Sequence, residues 1–229
     1  MRRTFGIVAI AGFLASVSPA LAGQLVVLEA RGTGLKQGDA IDDSKPLSLK
    51  EGEQLTLVAD DGSVVTLRGP YDKAPTAGGS DAAVLALDAL TTRTTQRNVA
   101  GVVRDATVEV HLPSPWLVDV SHPGAACVRN GERPVFWRAS SEGGTLTIMP
   151  SDRSWTAEAP WPTGASTLQA PDYFPVRDGR TYLATFGGNE VAVTVNILPV
   201  ALGNARMQAA WMLEKGCVAQ AQALIKTVR

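Results

Sequence analysis

The chain has little of what most recognisable chemistry requires. Its 229 residues contain two cysteines and two histidines. Neither pair has a zinc-ligand spacing, so no structural or catalytic metal site is expected. The missing C-x-x-C spacing also removes the arrangement that lowers a thiol pKa in redox enzymes. There is no G-x-S-x-G elbow, no P-loop and no dinucleotide-binding glycine pattern. Gly32-Thr33-Gly34 lacks the third glycine and the helix that should follow. Charge of one sign is lacking as well: 21 basic residues face 22 acidic ones, for a net charge of −1. Nucleic-acid binding needs a concentrated cationic face, so nucleic acid is not an expected partner. Aromatic residues make up only 6% of the chain. No cofactor is expected, and an enzyme is not the expected class.

What is present begins with a secretory pattern. Arg2 and Arg3 form a positive start, Phe5 to Val17 an apolar run, and Ala20-Leu21-Ala22 a small-residue cleavage site. The apolar run is too short for the roughly 20 residues of a membrane-spanning helix. Residues 1–22 are therefore expected to be a signal peptide, and the protein periplasmic and not membrane-spanning after cleavage. About 207 residues then remain, enough for one large domain or two small ones at roughly 100–200 residues per domain. In an exported chain an even cysteine count favours a disulfide. Cys127 and Cys217, 90 residues apart, are expected to form a structural staple.

The texture of the chain divides it. Residues 23–75 hold short alternating apolar runs separated by turns, above all Asp60-Asp61-Gly62-Ser63, where Asp-Gly tolerates positive φ. This predicts a small antiparallel β-domain. Residues 76–106 read as a linker, entered through the flexible composition Ala74-Pro75-Thr76-Ala77-Gly78-Gly79-Ser80 that straddles its boundary, with a short helix predicted from Asp81 to Leu90. Residues 107–200 carry seven or eight candidate strands between turns such as Gly187-Gly188-Asn189, which predicts a β-sandwich, immunoglobulin-like in shape. Residues 201–229 read as a helical hairpin, capped by Asn204 and broken at Gly216. The fold class expected is mainly β. All five tryptophans lie beyond residue 106.

The segment GLKQGDAI, followed by LTLVADDGSVVTLRGP, resembles the periplasmic β-domain of FecR-type proteins over residues 35–70. The resemblance implies a shared β module and, more distantly, a role as an envelope-signalling accessory.

Three function classes follow. The first is a non-enzymatic exported binding, scaffold or sensing protein whose partner is an unknown periplasmic or envelope protein. The second is the FecR-like accessory. The third is a carbohydrate-binding protein or cryptic hydrolase. Trp155 and Trp161, set among Pro160 and Pro162, are the candidate ligand-facing aromatics for a sugar. Asp119 and His122 have a spacing that could form an acid/base pair, while His111 falls on a predicted strand, Thr107 to His111.

Overall fold

The run LVVL at 25–28 is apolar without alternation. In the computed structural model it forms the middle of strand β1 (Gln24–Arg31). Such a run is what a strand covered on both faces requires. Leu25 and Val27 face one core, while Val26 and Leu28 face another. The structure describes residues 23–75, 82–92 and 110–228. The expected leader lies outside the described residues, as do 76–81 and 93–109, which hold most of the expected linker.

Strands β2 (Ala40–Asp42), β4 (Gln54–Val58), β5 (Val64–Arg68) and β7 (Ala82–Leu85) complete an antiparallel sheet in the order β2-β1-β4-β5-β7. Strands β3 (Leu47–Leu49) and β6 (Tyr71–Lys73) form a separate ribbon. Leu49 and Tyr71 of that ribbon close the core on one face of the sheet with Leu55, Leu57, Val65 and Leu67. A bulge between Val27 and Glu29 shifts the register of β1 against β4. The extra residue changes which parity faces which side, and Ala30 accordingly packs with the ribbon core.

The expected hairpin forms at Asp60–Ser63, with the Ala59 amide bonded to the Ser63 carbonyl at 2.9 Å. The helix expected from Asp81 to Leu90 does not form as such. Ala82–Leu85 is a strand paired with β5, and only residues 87–92 are helical (α1). A short helix far from its partners is marginal, and the free edge of β5 offers the backbone a ladder instead.

The second β unit contains β8 (Leu117–Asp119), β9 (Gly124–Arg129), β10 (Val135–Trp137), β11 (Gly144–Pro150), β12 (Ala157–Trp161), β13 (Thr167–Gln169), β14 (Arg180–Phe186) and β15 (Asn189–Leu198). Three strands, β13-β10-β8, face five, β12-β11-β14-β15-β9. Val118, Phe136, Leu146, Ile148, Tyr182 and Val193 fill the space between them. The mainly-β class and the sandwich are thus present, although β8–β10 and β9–β15 are parallel pairs. Strand β9 was not among the expected strands, because GAACVR is built of small residues with no clear alternation. Within the predicted strand Thr107 to His111, residues 107–109 lie outside the described residues, and 110 and 111 are not in a strand.

Helices α2 (Ala205–Glu214) and α3 (Val218–Thr227) end the chain. The Asn204 side chain accepts from the amides of Arg206 and Met207, and Gly216 at φ +80 turns the chain between the helices. The pair is not an appendage of the sandwich alone. Met207, Ala210, Trp211, Leu213 and Leu224 share one core with Val26, Val58 and Val64 of the first sheet and with Cys127 and Leu198 of the second unit. The Asn204 amide also reaches the Asp60 carbonyl at 3.1 Å. Among the described residues no helix is long and apolar enough to cross a membrane.

Candidate functional site

The predicted staple is formed: Cys127 on β9 and Cys217 at the start of α3 are disulfide-bonded, with Cα atoms 5.9 Å apart. Beside it sits a feature that sequence reasoning missed. Strand β9 is the last strand of its sheet, so among the described residues its outer edge lacks a strand partner. The side chain of Gln220, 3% exposed, fills that role. Its Oε1 accepts from the Cys127 amide at 2.6 Å, and its Nε2 donates to the Cys127 carbonyl at 2.7 Å and to the Pro115 carbonyl at 3.0 Å. A primary amide has the same donor and acceptor pair as a peptide group, so it continues the ladder by one unit. No apolar-face pattern could reveal this, because glutamine counts as polar in any helical periodicity.

The two candidate ligand-facing tryptophans flank opposite ends of β12. Trp161 is only 2% exposed. Its Nε1 donates to the Ala165 carbonyl at 2.8 Å, its ring lies under the Arg138 guanidinium at 4.6 Å, and Phe186 meets it edge-on. Residues 157, 159 and 161 share the inward face of the strand, which puts this indole in the core with no open face. Arg138 is itself buried, with Nε and Nη2 lacking hydrogen-bond partners among the described residues and the Phe186 ring 3.8 Å from its guanidinium carbon. Cation–π contact is what holds that charge.

Trp155 is placed differently. It precedes β12 at the far end of the sandwich, half-buried, edge-on to Phe174 and tilted over Tyr182. With Ser154, Pro175, Arg177, Arg180 and Tyr182 it lines an opening of about 110 Å³. The Tyr182 hydroxyl donates to the Pro175 carbonyl at 2.6 Å and accepts from the Arg177 amide at 3.1 Å, which ties the loop before β14 to the sheet. Burial pushes the Tyr182 phenol above its ordinary pKa, so it stays protonated. Arg180 pairs with Asp152. The hydrogen bonds from Ser154, and then Arg180, hold the Asp152 carboxyl below the usual carboxylate range. Neighbouring Arg153 adopts φ 55, a left-handed conformation uncommon for a residue with a side chain.

Asp119 and His122 do come together. His122 Nδ1 lies 2.7 Å from Asp119 Oδ2, and Asp119 Oδ1 accepts from the Ser121 amide at 2.8 Å. An acid that orients a histidine is half of a catalytic arrangement. Here the same carboxylate also closes the turn after β8, which is a structural task. His111 lies on the exposed stretch before β8. Among the described residues no group of three or more His, Cys, Asp or Glu side chains is placed to hold a metal ion.

No protein-family model matches the chain, and no curated protein sequence matches it.

Proposed function

We propose that the protein is an exported, non-enzymatic binding or scaffold component of a bacterial periplasm, acting on an envelope protein partner. The observation that carries this reading is the shared core of α2 and α3, joined to both β units and stapled through Cys127–Cys217. A disulfide persists in oxidising compartments, which favours export. Locking two β units onto one helical pair holds their outer edges and the opening at Trp155 as fixed surfaces, and preorganised surfaces lose little freedom on binding. A second reading, an envelope-signalling accessory similar to FecR-type proteins, rests on residues 35–70. Their Asp61-Gly62 turn is docked on α2 and not presented to solvent as a free tip.

The test is fractionation of cells expressing the full chain, with mass mapping under non-reducing conditions and photo-cross-linking from residue 177. The expected result is a periplasmic, disulfide-linked protein cross-linked to one envelope protein. Retention in the cytoplasm with reduced thiols, or the absence of any specific cross-link, overturns the reading. A membrane signalling protein as the captured partner selects the FecR-like alternative.

A further inference from the structure

The opening at Trp155 has an uneven charge balance. Two arginines, Arg177 and Arg180, line it, and among the described residues no carboxylate residue does. That of Arg180 is already neutralised by Asp152, and neighbouring Arg153 faces Glu190 at 3.5 Å. Among the described residues no carboxylate pairs with Arg177, and its neighbour Asp178 is engaged by the Ile197 amide at 2.7 Å. The Tyr182 hydroxyl has its donor and acceptor roles filled. An arginine with no carboxylate partner among the described residues therefore stands beside a flat indole wall, in a space of about 110 Å³. Among the described residues the indole N–H of Trp155 also lacks a partner.

We propose that this opening binds a single carboxylate carried on a small apolar body. Arg177 supplies the ion pair, the free edge of Arg180 a second guanidinium contact, and Trp155 the surface on which the apolar body lies. A guanidinium presents donors in a fork that matches a carboxylate. One unpaired guanidinium matches a monoanion better than a phosphate dianion. The space admits one ring or one short side chain, which fits a free small acid or the C-terminal carboxylate of a peptide. This deepens the binding reading given above and names its ligand chemistry. It does not depend on where the protein resides.

The experiment follows the indole N–H resonance of Trp155 in the full chain, assigned with Trp155→Phe. The probes are benzoate, benzamide, phenyl phosphate, and Ala-Ala-Phe as free acid and as C-terminal amide. Benzoate is expected to shift the resonance saturably and benzamide not to. Arg177→Ala is expected to weaken benzoate by about tenfold or more, as loss of a charged hydrogen bond does. Among the described residues only backbone groups of Arg177 make hydrogen bonds that serve the fold, so this variant keeps its near-ultraviolet circular dichroism. Tighter binding of the free-acid tripeptide assigns a peptide terminus, and no gain over benzoate assigns a free acid. The proposal is overturned by equal shifts with benzamide, by tighter binding of phenyl phosphate, by an unaffected Arg177→Ala variant, or by no shift with either carboxylate. A failed titration leaves the outcome of fractionation and cross-linking as it was, so the two failures are distinguishable.

Discussion

Replacing Gln220 by methionine keeps the length and most of the volume of the side chain but removes its amide. Three contacts then disappear together, at 2.6, 2.7 and 3.0 Å. The Cys127 amide, the Cys127 carbonyl and the Pro115 carbonyl are left to find partners in a buried setting. Each unmet buried group costs about 1–3 kcal/mol. Two of the three are carbonyls, which tolerate this better than an amide. A total of about 3–6 kcal/mol is therefore expected, with a fall in Tm of about 6–24 °C for a chain of this size. Urea unfolding followed by the fluorescence of buried Trp211 measures it. Gln220→Glu sharpens the reasoning. It keeps an acceptor for the Cys127 amide but turns a carboxylate oxygen toward two carbonyls, which raises the carboxyl pKa in the folded protein. A raised acid pKa contributes stability below the unfolded value of about 4.3 that is lost as pH rises. Gln220→Glu should accordingly be closer to wild type at pH 4 than at pH 7. A loss below about 1 kcal/mol for Gln220→Met refutes the idea that this side chain stands in for a missing strand.

Other outcomes follow from the same contacts. Reducing Cys127–Cys217 frees a loop spanning 90 residues and should cost about 4–5 kcal/mol in urea titrations with and without reductant. Because the Gln220 amide grips the same residue, the two losses should be non-additive in a double cycle. Gly62→Ala forces a side chain into φ +83 and places its Cβ 3.0 Å from the Arg206 carbonyl, whereas Gly52→Ala meets the same φ in open space. Gly52→Ala should cost about 1–2 kcal/mol and Gly62→Ala clearly more, and equal midpoints would deny the docking of the hairpin on α2. The Asp61 carboxyl is held below its ordinary range first by Ser63, with Arg206 contributing. Its contribution to stability is present above the unfolded value and lost as pH falls through the folded one. Asp61→Ala should therefore destabilise at pH 7, with the difference from wild type narrowing as pH falls below the unfolded value of about 3.9 in urea titrations.

Much of the architecture was legible where a local signal and the tertiary demand agree. Asp61-Gly62 specifies its hairpin because the turn itself needs positive φ. Asn204 and Gly216 bound the helices by capping, a property of neighbouring residues. Ala82–Leu85 was misread because Ala and Leu favour a helix locally, whereas the edge of β5 that makes it a strand lies outside the reach of any local pattern. Strand β9 escaped notice because its pairing is parallel, with a partner more than sixty residues onward. The candidate site was less legible. Trp155 was singled out, but Arg177, Arg180 and Tyr182 join it only because the loop before β14 returns to the turn before β12. Trp161 looked equivalent in sequence, and strand parity sent it inward.

The sequence by itself determined the mainly-β class, the helical end and, through a bare count of two cysteines, the staple between Cys127 and Cys217. These follow from short-range periodicity, turn chemistry and the scarcity of alternatives. Only the tertiary structure decided that the helical pair is a core common to both β units, that an amide side chain completes a sheet edge, and that one arginine is left without a carboxylate among the described residues beside an indole. Each of these depends on groups far apart in the chain meeting with unfilled hydrogen-bonding or charge capacity. Local sequence carries no record of which distant partner will satisfy it.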